Sequence, residues 1–344
     1  MSNFKRAAVA AAAMMVLSPL AACGGGGGGA SAGGPRIGVT VYGEGNLVKE
    51  GKEGMEAYAK ARGMDLLWNS ADGEVNKQAN QIEQMITARV DAIIIVPVQY
   101  DSLQPQLQHA KDAGIPVIAV NTTVKNKALL TTSVLPDDVA AGTQDAQMMV
   151  DHLGGKGNVV MLQCVLGSSY ELDRTKGMMS VLDKNPGIKL LAKGEAANNG
   201  RAEGAARMKN WLTAFPKIDG VMACGDDMGL GAVQASKEAG KKIPVTGIDG
   251  IADGLEATKN GDFVGTQLQD GRVELGAGLA VANLVVHHQP VETAYVYKMV
   301  PVDAHNVDTF TAHVVTHVDA FLKTLPDLLD ANVKSGDIAN ESTK

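Results

Sequence analysis

From Arg36 onward, short runs rich in β-branched residues alternate with longer stretches of helical periodicity. IGVTVY, AIIIVPV and IPVIAVN read as strands. Between them, Asn46 to Arg62 places Leu47, Met55 and Ala59 at helical intervals, and Gly63 supplies the stop. Asn76 to Arg89 puts Ala79, Ile82, Met85 and Ile86 on one face. AIIIVPV is almost wholly apolar, the pattern of a parallel strand covered on both faces. The segment Leu103 to Ala113 ends at Gly114-Ile115-Pro116, where the proline halts the helix.

The alternation then begins again. NVVMLQC (158–164) leads into a helix broken at Pro186-Gly187. KLLAKGEA leads into Arg201 to Ala214, and GVMACG into a helix ending at Gly240. IPVTGID (243–249) and DFVGTQLQ (262–269) follow, and HVDAFLKTLPDLLDANVKSG forms an amphipathic helix kinked or split at Pro326. Two βα series, each of domain size, with right-handed crossovers predict an α/β fold of two doubly wound parallel-sheet lobes.

Upstream of the first strand the pattern changes. Lys5 and Arg6 precede a short apolar stretch and small residues, with no acid in the first 22 positions. That is the layout of a secretory signal peptide over residues 1–22, too short in its apolar part to span a bilayer. Leu20-Ala21-Ala22-Cys23 resembles the lipobox of bacterial lipoproteins. The resemblance makes Cys23 the lipid anchor and residues 23–35, with their glycine run, a flexible tether. The location implied is the periplasm, on a membrane.

Composition narrows the function. Hydrophobic residues make up 45% of the 344, charged residues 20%, and the net charge is −7, so the chain is globular and offers nucleic acid no basic surface. Cys164 and Cys224 lie in no metal-ligand spacing, and no metal or cofactor is expected. They end what should be adjacent strands of the second lobe. Because adjacent strands hold a disulfide only with strain, free thiols are expected. No nucleophile elbow, phosphate loop or zinc-protease motif is present, so an enzyme is not expected.

Ligands of open parallel sheets sit outside the carboxyl ends of the strands. The residues there are Tyr42, Glu44, Asn46 and Leu47, then Gln99, Asn121 and Thr122. In the second series they are Ser169, Tyr170, Asn199, Asp226, Asp249 and Gln269. Amides, hydroxyls and carboxylates dominate, which suits an uncharged hydroxyl-bearing ligand. Asp226 also reads as a helix N-cap, Asn121 and Asn199 as turn residues, and Gln269 as a strand-end surface residue. Asp249, ending an apolar strand in GIDG, points to ligand contact.

From Arg36 to about Val315 the chain resembles the ribose- and galactose-type (type I) periplasmic substrate-binding proteins of ABC importers. IGVTV, DAIIIVPV, AKDAGIPVIAVN, ACGDDMGLGAVQASKEAGK and PVTGIDGIADGLEATKNGDFVGTQLQ carry the resemblance. It implies two Rossmann-like lobes joined by three crossings that close on ligand. The crossings would fall near Ser133 to Pro136, Gln269 to Asp270 and Pro301 to Asp303, with Ser133, Pro136, Asp270 and Val302 as hinge residues. The lobes would then be 36–135 plus 270–301 and 136–269 plus 302–330, with 331–344 as a tail. Asp249 matches the family's acceptor of ligand hydroxyls and Gln269 its amide at the hinge. Partners implied are a small polar ligand, ABC permease subunits and, through Cys23, a membrane, the protein itself acting as a monomer.

Other positions depart from the family pattern. Leu47-Val48 stand where sugar binders carry stacking aromatics, Asn121-Thr122 where they carry Asp-Arg, Leu172 where they carry an arginine, and Gly225 where they carry an asparagine. Arg174 keeps a later family arginine. A smaller or more symmetric polyol, a furanose or deoxy sugar, or an apolar metabolite carried in the same fold are the open alternatives. A sensing module for a membrane receptor is another.

Overall fold

The computed structural model describes residues 33–339; the expected signal peptide, Cys23 and most of the tether lie outside the described residues. The chain opens with β1 (Arg36–Val41), α1 (Asn46–Arg62), β2 (Asp65–Ser70), α2 (Val75–Thr87), β3 (Ala92–Val96), α3 (Gln104–Asp112), β4 (Val117–Val120) and β5 (Thr132–Pro136). It passes to a second lobe through α4 (Asp138–His152), then β6 (Gly157–Gln163), α5 (Ser169–Leu182), β7 (Ile188–Glu195) and α6 (Arg201–Ala214). β8 (Gly220–Ala223), α7 (Asp226–Glu238), β9 (Val245–Asp249), α8 (Ala252–Lys259) and β10 (Phe263–Leu268) complete that series. The remainder is α9 (Gly271–Val286), β11 (Tyr295–Tyr297), β12 (Val300–Asp303), α10 (Val307–Thr311), α11 (Val318–Ser335) and β13 (Asp337–Ile338).

The strands form two sheets, ordered β13-β11-β5-β4-β3-β1-β2 and β12-β10-β9-β8-β6-β7. All pairings are parallel except β10 with β12. Each lobe is therefore a doubly wound α/β layer, as the two βα series require. Every residue of β3 is buried, which is why its sequence shows no alternation. α1 ends where Gly63 turns left-handed (φ 66°) and returns its N–H to Ala59 O. α11 runs through Pro326 as one helix instead of splitting there.

The lobe boundaries differ from those expected. β11 belongs to the first sheet and β12 to the second, so that crossing lies at 298–299. Val302 is not at a crossing; it sits inside β12, opposite Thr266. Ser133 likewise pairs within the first sheet, opposite Ala119, while Pro136 ends β5 and Asp270 caps α9. After α10 packs on α8, the chain crosses a fourth time, and α11 lies on α1 and α9 of the first lobe. Residues 318–330 thus leave the second lobe, and the expected tail supplies β13, which pairs with β11. The apolar stripe Phe321, Leu325, Leu329 and Val333 accounts for it, because that face is buried against the first-lobe core.

Cys164 and Cys224 are joined in a disulfide, not held as free thiols. The β6–β8 ladder stops at Leu162 opposite Ala223. Past it the strand ends bring the two Cα atoms to 5.5 Å, within ordinary bridging range.

Candidate functional site

Strand ends of both lobes enclose a cavity of about 410 Å³. The first lobe contributes Tyr42 to Leu47 after β1, Asp72 and Gly73 after β2, Val98 and Gln99 after β3, and Asn121 after β4. The second contributes Cys164 and Val165, Tyr170 and Arg174 on α5, Asn198 to Gly200, Gly225 and Asp227, then Asp249 and Ile251. The lobes touch across the mouth. Asn46 Nδ2 donates to Asp227 Oδ2 at 3.1 Å, Tyr100 N to Gly167 O at 3.0 Å, and Thr123 N to Ser169 Oγ at 3.0 Å.

At the floor lies the buried guanidinium of Arg174. Its Nε donates to Asp138 Oδ1 (2.8 Å), Nη1 to Cys224 O (2.7 Å) and Asp249 Oδ1 (3.2 Å), and Nη2 to Gln269 Oε1 (2.7 Å). A guanidinium has five N–H donors, so one on Nη2 is left over. Asp249 is held at φ 119°, a backbone position that non-glycine residues seldom take, with Gly250 following it at φ 68°. Gly225 opposite leaves room for the carboxylate, because a Cβ there would stand 3.1 Å from Asp249 Oδ2. Asn121, Asn198 and Asn199 are also left-handed (φ 64°, 56° and 53°), a conformation that asparagine tolerates at strand ends.

Burial governs the charges. It lifts Asp249 to about 6 against the pull of Arg174, and Asp138 likewise to about 6. Glu274, beneath the floor, is pushed to about 8 by burial although Gln269 and Asn121 donate to it. At neutral pH Glu274 therefore keeps its proton, and Asp249 is mainly ionised. Burial also raises Tyr42, then Tyr170 and Asp249 add to the rise, so its hydroxyl stays an O–H donor.

Nine of the thirteen residues expected from sequence line this cavity: Tyr42, Glu44, Asn46, Leu47, Gln99, Asn121, Tyr170, Asn199 and Asp249. Four do not. Thr122 turns its hydroxyl to Pro97 O, and Ser169 spends its Oγ on the interlobe contact. Asp226 is wholly buried, accepting from Thr266 Oγ1 and Ile251 N, while Gly225 takes the N-cap position. Gln269 lies one layer below, its amide divided between Arg174 and Glu274. Asn199 lines the wall, accepts from Val165 N and donates to the Tyr170 hydroxyl. Arg174 falls outside the expected set because it lies a turn into α5, away from the strand end. Its signal was the match to a family arginine.

A sequence model of the periplasmic binding protein domain matches residues 37–289. The chain belongs to the periplasmic binding protein family. Among similar periplasmic binding proteins, the xylitol-binding protein of Mycolicibacterium smegmatis is 54% identical over 308 residues, covering 89% of this chain and 88% of that protein. The ribose import binding protein of Bacillus subtilis is 30% identical over 241 residues, 70% of this chain and 78% of its own. A Bacillus halodurans solute-binding protein, solved with bound myo-inositol, superposes with a TM-score of 0.78 at 28% identity, covering 82% of this chain and 99% of that one. This periplasmic binding protein is thus of the type I, sugar- and polyol-binding class that serves ABC importers, and it is not an enzyme.

Proposed function

We propose that the protein captures a small open-chain polyol of pentitol size between its lobes and delivers it to the permease of an ABC importer. One observation carries the reading. Tyr42 and Tyr170, from opposite lobes, stand with ring centroids 6.2 Å apart, contact distance for an aromatic pair, so no sugar ring fits between them. The polar groups open to a ligand are the Asp249 carboxylate, the spare Arg174 N–H, and the amides of Gln99, Asn121 and Asn46, set among the apolar side chains of Leu47, Val98, Val165 and Ile251. Buried hydroxyls need matched partners to recover their desolvation cost, and this set supplies both donors and acceptors. The 54% identical relative that binds xylitol favours the same ligand class.

In this reading the contacts Asn46–Asp227 and Tyr100–Gly167 hold the closed state, and release follows when they part. The lipobox-like LAAC supports a lipid anchor on Cys23, which keeps the loaded, monomeric protein beside its permease.

The test is thermal melting against pentitols, pentoses, hexoses, inositols and apolar metabolites. A ligand at a hundred times its Kd adds about 2.7 kcal/mol, a shift of at least a few degrees for a chain this size. Xylitol or a close pentitol is expected to give the largest shift, and Asp249→Ala to remove it. A shift from apolar compounds alone, insensitive to Asp249→Ala, would refute the polyol reading.

A further inference from the structure

Cys164 lines the ligand cavity, and its partner Cys224 lies beside it at the floor. Each cysteine ends a strand whose next residues hold a different part of the site. After Cys164, Val165 N donates to Asn199 Oδ1 (2.9 Å), and Asn199 Nδ2 donates to the Tyr170 hydroxyl (2.8 Å). On the other side, Cys224 O accepts from Arg174 Nη1 (2.7 Å), and Gly225 faces the Asp249 carboxylate. The hydrogen-bonded ladder between β6 and β8 finishes at Leu162–Ala223, with Cys224 N donating to Leu162 O as its last rung. Beyond that rung the disulfide is what ties the two strand ends together.

We propose that the Cys164–Cys224 bridge is a positioning element of the ligand site, fixing the spacing between the Tyr170–Asn199 wall and the Arg174–Asp249 floor. This deepens the polyol reading and rests on it for the ligand. A disulfide that served the fold alone would act on the unfolded chain, by closing a loop of 60 residues, and would leave the affinity of the folded protein untouched. A positioning bridge acts on the folded state. Small displacements of preformed donors and acceptors weaken every hydrogen bond they make to a ligand.

The experiment compares the wild type with Cys164→Ala/Cys224→Ala, and with wild type reduced by dithiothreitol and then reoxidised. In the reduction the bridge takes up two electrons and two protons from the dithiol, which leaves as its cyclic disulfide. Calorimetric titration with xylitol, well below the melting temperature, reads the affinity; melting is measured separately. The expected result is a roughly tenfold weaker Kd without the bridge, the scale of one good hydrogen bond to a charged group, restored on reoxidation. An unchanged Kd with only a lowered Tm overturns the proposal. So does peptide mapping that finds both cysteines alkylated without reductant.

A second readout needs no ligand. Exchange of the Arg174 Nε–H is expected to be slow in the bridged protein and faster without the bridge, and equal protection in both overturns the proposal. If the wild type fails to bind xylitol or any other polyol, the polyol reading falls, while the arginine exchange still decides the role of the bridge.

Discussion

Four oxygens from four stretches of chain surround the Arg174 guanidinium: those of Asp138, Cys224, Asp249 and Gln269. The charge is thereby spent mostly on holding the floor together, with little left for an anionic ligand, which would want a free fork. Gln269 passes this network on to Glu274, whose burial raises it from 4.5 to about 8. Folded protein keeps that proton over a range in which the unfolded chain has released it. Stability is therefore lost as pH climbs from the unfolded value through the folded one. Glu274→Gln, which stays neutral, is expected to gain in Tm on the wild type between about pH 5 and about pH 8. Melts of both proteins at the two ends of that range check this, and a constant gap would count against it. Asp249 was legible in the sequence because a carboxylate ending an apolar strand has few structural uses. Gln269 was legible as polar but not as indirect, since only the fold shows that both ends of its amide are taken. The cysteines were legible as neighbours, but their bonding was not, because it depends on where the β6–β8 ladder stops.

Helix pairs set the site at the next scale. α4 and α5 cross so closely that a Cβ on Gly142 would fall 2.1 Å from Arg174 O, and one on Gly177 2.3 Å from Val139 O. That approach is what brings Asp138 and Arg174 together from separate helices. Gly142→Ala forces the backbones apart, and is expected to cost on the order of 1–3 kcal/mol in urea unfolding and to weaken polyol binding by moving Arg174. Unfolding and titration of the same variant check both effects; full affinity with lowered stability would mean that the floor adjusts independently of the crossing. The sequence led to a helix between NVVMLQC and Pro186, which is α5, but α4 at Asp138–His152 was not among the expected elements. Their crossing was not readable either, because a glycine inside a helix looks like a weakness until the partner backbone is seen against it.

At the largest scale, the two lobes exchange the chain four times among the described residues, through 136–138, 269–270, 298–299 and 316–318. The strand–helix alternation was enough to give both lobes. It was not enough to say which lobe receives α11, because an amphipathic face announces burial without naming its partner. Leu325, fully buried on that face, tests the assignment. Leu325→Ala is expected to cost about 2–5 kcal/mol of stability. Its Kd for a polyol, measured below melting, should not change, since no residue of α11 lines the cavity. A loss of affinity in that variant would tie the helix to the cleft.

The same routing bears on how the chain is made. The sheet that begins with β1 is completed only by β13, at residues 337–338, and α1, packed first on α9, is fully covered only when α11 arrives. Synthesis delivers the amino-terminal end first, and chains with separable domains fold them one after another as they emerge. Here the lobe translated first is finished last, so the chain must be made as far as residue 338 before that lobe can close. A protein bound for export across a membrane gains from such a delay, because a chain still unfolded is one that can be threaded.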